Sequence, residues 1–270
     1  MTGLGDVKGR AMAVDYDDEK AAEALEENYR GHDVTAQRAE TLARLNVQPG
    51  EHVLDIGAGP GFLAMEIADQ TGPNGRVVGV DIAEAMVRRA TTRKTQDWLS
   101  YAQGDATALP VQDASFDAVA STQVAEYMTD LAPFCTEVAR VLKPGGRALI
   151  LTTDWDSVVW HSEEPARMSK VIVAWNTSVT QTNVPRILAP HLRAAGLNVE
   201  TVSAFPIINI DRQPGNYSAG LVEGAAEQAR TTGDIPDDTL ADWAAEQETL
   251  DAKGAYFFAI TRYIFKAVKP

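Results

Sequence analysis

Between Glu51 and Thr153, short apolar runs alternate with longer stretches whose apolar positions recur at helical spacing. The runs are Val53-Leu54-Asp55-Ile56, Val77-Val78-Gly79-Val80, the short segment Ser100 to Gln103, Ala118-Val119 and Leu149 to Thr153. The helical stretches between them start near Phe62 and cover Ala83 to Thr95 and Leu131 to Leu142. Strand and helix in alternation predict a parallel sheet built from right-handed crossovers, with ligands bound beyond the carboxyl ends of its strands. Upstream, residues 1–15 carry no pattern and read as a mobile arm. Helices follow from Asp17 to Tyr29 and from Asp33, as N-cap, to Leu45. Downstream come helices from Ala166 to Thr180 and from Arg186 to Ala195, then a strand from Asn198 to Ala204. Pro214 to Lys253 scans as two amphipathic helices around Thr231-Thr232-Gly233, and Tyr256 to Phe265 alternates as a final strand. The pattern divides the chain into an N-terminal arm and helices (1–45), an α/β core (46–204 and 254–270) and a helical insertion (205–253).

Composition narrows the class. Of 270 residues, 45% are hydrophobic and 23% charged, as in a soluble globular protein. A net charge of -14 opposes a nucleic-acid backbone, so no nucleic-acid partner is expected. No apolar run approaches the roughly 18 residues of a membrane span, and the first residues lack a secretory pattern. No membrane partner and a cytoplasmic location are the resulting expectations. Cys135 is the only cysteine, which removes disulfides and cysteine zinc clusters.

The chemistry starts at Val53 to Gly61, where a buried strand runs into glycines at 57, 59 and 61 and then a helix. Glycines there bring the backbone close to a ligand without Cβ clashes. A dinucleotide fingerprint spaces its glycines G-x-G-x-x-G. Here the third comes one residue early, and Asp55 would crowd a pyrophosphate. A cationic ligand suits Asp55 better, which disfavours a nicotinamide oxidoreductase without removing it. Two later acids fall at strand ends: Asp81, about 20 residues on, where ribose hydroxyls bind in a mononucleotide crevice, and Asp105. Each alone also suits a turn or cap.

Asp55-Ile56-Gly57-Ala58-Gly59-Pro60-Gly61 resembles the first motif of the class I S-adenosylmethionine-dependent methyltransferases. The resemblance covers roughly residues 35–155 and looks most like the ubiquinone/menaquinone-biosynthesis and arsenite methyltransferase group. It implies an α/β, Rossmann-like, seven-stranded, mostly parallel sheet with an antiparallel last strand, helices on both faces and helical lid elements. It also implies S-adenosyl-L-methionine as cofactor, with Asp55, Gly57, Ala58, Gly59 and Gly61 at its methionine end. Asp81 and Ile82 would face the ribose, and Met86, Gly104, Asp105 and Ala106 the adenine. Thr122 and Gln123, after the fourth strand, would lie beside the methyl. That loop lacks the Pro-Pro motif of amino-group DNA methyltransferases, a Pro-Cys nucleophile and a paired-glutamate loop. One cysteine cannot perform the three-thiol chemistry of arsenite methylation.

The acceptor is expected to be a small molecule. Tyr127, Glu126, Asp154 and His161 are the catalytic candidates, with His161 the best base because its ordinary pKa is nearest neutrality. Tyr16, Tyr29, His32, Trp155, Trp160 and Trp175 are candidate substrate contacts, with Gln37 a further lid residue. Trp155 and Trp160 equally suit capping the core. The spacing of Asp154, Asp156 and His161 matches no common metal-ligand set, so no metal is expected. Indoles and acids together favour a neutral or cationic acceptor. Monomer and homodimer stay open, as does a cofactor-binding regulator that has lost catalysis.

Overall fold

The computed structural model describes residues 19–270. Two helices lead, α1 (Glu19–Arg30) and α2 (His32–Leu45). The core follows as β1 (His52–Ile56), α3 (Phe62–Thr71), β2 (Arg76–Asp81), α4 (Glu84–Arg93), β3 (Leu99–Gln103), β4 (Phe116–Thr122), α5 (Leu131–Val141) and β5 (Leu142–Thr153). The remainder comprises β6 (Val159–Trp160), α6 (Pro165–Asn176), α7 (Val184–Ala194), β7 (Asn198–Asn209), α8 (Leu221–Thr232), α9 (Asp237–Ala252) and β8 (Phe258–Val268).

The sheet runs β3-β2-β1-β4-β5-β8, with β7 paired along the other edge of β8 and β6 paired to its start. The first five strands are parallel, and β8 is antiparallel to β5, as the alternating terminal segment predicted. Eight strands replace the expected seven. The extra one is β6, which joins only through Val159 to Ala259 and Trp160 to Phe258, too short to show a period in sequence. Strand β7 also runs five residues past the predicted end at Ala204, because it pairs with β8 as far as Asn209.

Strand β1 lies between β2 and β4, so Val53, Leu54 and Ile56 are fully buried. On one face Leu45 of α2 and Leu63 and Ile67 of α3 pack against Val53, Val77 and Leu151. On the other, Phe134 and Val138 of α5 and Leu188 and Leu192 of α7 pack against Leu54, Ile56, Val119 and Ile150. A separate core gathers α6, α8 and α9 around Trp160, whose ring meets Trp243 at 5.3 Å and Phe258 at 5.1 Å, both edge-on.

Asp33 does not cap α2. Gly31 takes that place, because the Asp33 carboxylate is turned to the insertion, where it accepts from Asn209 Nδ2 at 2.9 Å and Tyr217 N at 2.7 Å. His32 N donates to Gly215 O at 2.7 Å, so the second helix is stitched to the segment before α8. Arg262 on β8 adds a third tie by donating to Gln37 of α2.

Trp243 is fully buried at the centre of the helical core. Trp243→Ala is expected to cost about 3–5 kcal/mol of stability. Urea unfolding checks this, and a loss below 1 kcal/mol would mean the cavity collapses around neighbouring side chains.

Candidate active site

The carboxyl end of β1 leads directly into the glycine turn. Gly57 N and Ala58 N donate to Val80 O on β2, at 2.7 and 3.0 Å. Gly57, Gly59 and Gly61 all have positive φ, which disfavours any side chain. The space around them differs. A Cβ on Gly57 would meet Val124 at 2.1 Å, and one on Gly61 would meet the Tyr101 hydroxyl at 2.5 Å. A Cβ on Gly59 would find only the Tyr29 hydroxyl, at 3.5 Å. The protein packs tightly against the outer two glycines, whereas the middle one has only the Tyr29 phenol at ordinary contact distance over it.

Asp81 fixes this turn: one carboxylate oxygen accepts from Gly59 N at 2.7 Å and the other from Ala83 N at 2.9 Å. Asp55, below the turn, is almost wholly buried, and its Oδ2 has no hydrogen-bond partner. Burial, with the neighbouring Asp81 charge adding to it, pushes its carboxyl from 3.8 up to about 8. Asp55 therefore carries its proton through neutral pH, and the fold loses stability as pH climbs across that interval.

Around this centre, Met86 is buried on α4, while Ile82 is half exposed just after β2. Asp105 folds back on itself, accepting from Thr107 N and Oγ1 at 2.7 Å each. Ala106 is buried beside it, and a Cβ on Gly104 would meet Pro110 at 2.6 Å, so that corner is a tight turn. Helix α1 is tied to α4 beside the turn. Glu26 accepts from Arg89 at 3.1 Å and Arg93 at 2.6 Å, both on α4, and Arg93 also donates to Pro60 O within the turn. Burial pushes Glu26 up, but these two guanidiniums outweigh it and hold the carboxyl below its ordinary value. Tyr29 stacks on Phe62 with centroids 6.1 Å apart.

A second polar cluster occupies the carboxyl ends of β4 and β5. Gln123, beside Thr122, has a left-handed backbone, and its Oε1 accepts from Thr153 Oγ1 at 2.6 Å. Glu126 is buried, accepts from Thr153 N at 2.6 Å and leaves Oε2 without a partner. Burial raises its pKa against the Thr153 hydrogen bond and the Arg262 charge. Tyr127 sits half buried at the end of this loop. Ser121 Oγ and Gln123 Nε2 are also buried without partners.

The segment from Asp154 to His161 is divided. Asp154 receives both Nε and Nη2 of Arg186, at 3.0 and 2.8 Å. Trp155 and Trp160 are buried in the helical core, with Trp155 edge-on to Trp175 at 6.0 Å. His161 is exposed, as is His32 on α2. Tyr16 lies outside the described residues. Among the described residues, no three His, Cys, Asp or Glu side chains are placed to share a metal ion. No helix there is long and apolar enough to cross a membrane.

Sequence reasoning missed Arg262 and Tyr217. Arg262 is buried on β8 with its guanidinium 4.5 Å from the Tyr217 ring centroid. A charge in the middle of the apolar run from Phe257 to Phe265 was the signal for the first; Tyr217 sits in a loop that carries none.

Comparison with known proteins resolves what this arrangement belongs to. A methyltransferase-domain model matches residues 54–150. A Mycolicibacterium smegmatis protein, named a probable S-adenosylmethionine-dependent methyltransferase, is 32% identical over 82% of this chain and 79% of its own length. The chain belongs to the class I S-adenosylmethionine-dependent methyltransferases. The demethylmenaquinone methyltransferase of Symbiobacterium thermophilum is 36% identical over 42% of this chain and 46% of its own length. The chain spans about half the length of several such curated relatives. The same fold occurs in Haemonchus contortus phosphoethanolamine N-methyltransferase 2 solved with S-adenosylmethionine (TM-score 0.61, 20% identity, 97% of this chain and 61% of that one). Neither the oxidoreductase nor the silent regulator is favoured by these relatives.

The site fits the methyltransferase cofactor on its own features. An orphaned carboxyl oxygen on Asp55 suits a cationic group, and Gly59, with no Cβ and only the Tyr29 phenol over it, lets a ligand approach the backbone where that ring gives way. A cation beside Asp55 stabilises its ionised form, so the proton leaves as the ligand arrives. Near pH 7, S-adenosylmethionine is expected to release close to one proton on binding, S-adenosylhomocysteine less, and Asp55→Asn none. Calorimetry in phosphate and Tris, which differ in ionisation heat, reads this directly. Identical wild-type heats in the two buffers would show that Asp55 does not meet the positive charge.

Proposed function

We propose that this methyltransferase passes the methyl of S-adenosylmethionine to a small-molecule acceptor held at the carboxyl ends of β4 and β5. The observation that carries this reading is Glu126, a buried carboxyl with one oxygen fixed by Thr153 N and the other unpartnered. It lies on the loop after β4, the strand adjoining the one that delivers the glycine turn. When bound, the cofactor supplies an electrophilic methyl on a sulfonium.

The chain's own residues position and protect that chemistry. Asp55 and the turn around Gly59 hold the charged end, Asp81 shapes the turn, and Met86, Asp105 and Ala106 border the adenine corner. Tyr29 and α1 close over the entrance and exclude water. Glu126 in its ionised form takes the proton that the acceptor loses, since a buried carboxylate is a stronger base than an exposed one. Tyr127 borders the same space. Asp154 is committed to Arg186, and His161 faces solvent, so neither is given the proton. The operating setting is the cytoplasm.

A panel of amines, phenols, thiols and carboxylic acids, assayed for S-adenosylhomocysteine release, identifies the acceptor class. With an accepted substrate, Glu126→Gln is expected to lower kcat by roughly a hundredfold with little change in S-adenosylhomocysteine affinity. Unchanged turnover would remove Glu126 from proton transfer, and no product with any acceptor class would remove the proposed activity.

A further inference from the structure

Arg262 is only 3% exposed, yet among the described residues no carboxylate lies within 4 Å of it. Its one hydrogen bond goes from Nη1 to the side-chain oxygen of Gln37, a neutral group, and its Nε is buried with no partner. The guanidinium lies over the Tyr217 ring. A buried guanidinium is ordinarily paired with an acid, because taking the charge out of water is costly unless another charge compensates it. Glu126 is near enough to feel the Arg262 charge, but none of its oxygens comes within 4 Å of the guanidinium, so the two do not form an ion pair.

Position makes the unpaired charge informative. Arg262 stands opposite Thr153 in the sheet register, and Thr153 is the residue that holds both Glu126 and Gln123. The free edge of the guanidinium thus belongs to the polar cluster at the carboxyl ends of β4 and β5. A fork of N–H donors matches the lone pairs of an acidic oxygen, and the adjoining phenol ring supplies a flat wall for a planar group.

We propose that Arg262, backed by Gln37 and Tyr217, is the specificity anchor of the acceptor site and binds an acidic oxygen, as carboxylate or phenolate, on the methylated molecule. This rests on the methyltransferase reading above and narrows its acceptor. It replaces the neutral or cationic preference that the sequence suggested: Asp154 is engaged by Arg186 and Trp160 is enclosed by Trp243 and Phe258, whereas Arg262 is a buried cation at this end of the sheet with no acid paired to it.

The full chain, saturated with S-adenosylhomocysteine, is titrated with 2-naphthoate, 2-naphthol and 2-naphthylamine, three probes of one shape and different charge. At least one oxygen probe is expected to bind ten-fold or more tightly than the amine. Arg262→Gln should erase that preference and Arg262→Lys should keep part of it, with S-adenosylhomocysteine affinity unchanged in both. If 2-naphthol tightens as pH rises towards its ionisation, the phenolate is the form bound; pH-independent binding of 2-naphthoate identifies the carboxylate. Equal or tighter binding of the amine, no binding by either oxygen probe, or an undiminished preference in Arg262→Gln would overturn the proposal. Should Arg262→Gln fail to fold, the wild-type ranking and Arg262→Lys decide alone. Failure of the wild type to bind S-adenosylhomocysteine would instead overturn the methyltransferase reading beneath it.

Discussion

The carboxylate of Asp81 reaches from the end of β2 to the backbone of the neighbouring loop and accepts from Gly59 N as well as Ala83 N. Geometry and electrostatics of the cofactor end both depend on this bridge. Held by it, the middle of the glycine turn keeps a positive φ, with only the Tyr29 phenol over it. The negative charge that does the holding sits near Asp55 and reinforces the effect of burial on that group. One side chain thus shapes the cradle and adds to the burial that keeps the acid beneath it protonated. Separating these effects would require an amide at position 81, which can still accept from one N–H but carries no charge.

Much of this was legible in the chain. Parallel strands covered on both faces read as apolar runs, so β1, β2, β4 and the end of β5 stood out, and the glycines at 57, 59 and 61 marked the ligand edge without help from neighbours. The acceptor end was read less well, for a definite reason. Asp154, Trp155, Trp160 and His161 are close in sequence, but the chain turns after β5 and sends them to different environments: an ion pair with α7, the helical core and the surface. Proximity along the chain misled where the backbone does not keep a period. The residue set opposite Thr153 in the sheet, Arg262, comes from far away. Gln37 and Arg262 are joined across 225 positions, a distance no local pattern encodes.

The two polar regions differ in how they are held. Asp81 and Asp105 spend their oxygens on nearby backbone and hydroxyl groups, as turn residues do, and leave a rigid cradle. At the other end, Glu126, Gln123 and Arg262 retain buried atoms with no partner, a cost that another molecule or water completing the set would relieve.

The strap formed by Glu26 with Arg89 and Arg93 has a kinetic side. It joins α1 to α4 through partly exposed ion pairs, and the same Arg93 grips Pro60 in the turn. Dissolved ions weaken such contacts far more than they weaken the apolar packing around Phe62. The residence time of a spent nucleoside in the cradle should thus shorten as salt rises. Where departure limits the cycle, the enzyme would run faster in brine than in dilute buffer.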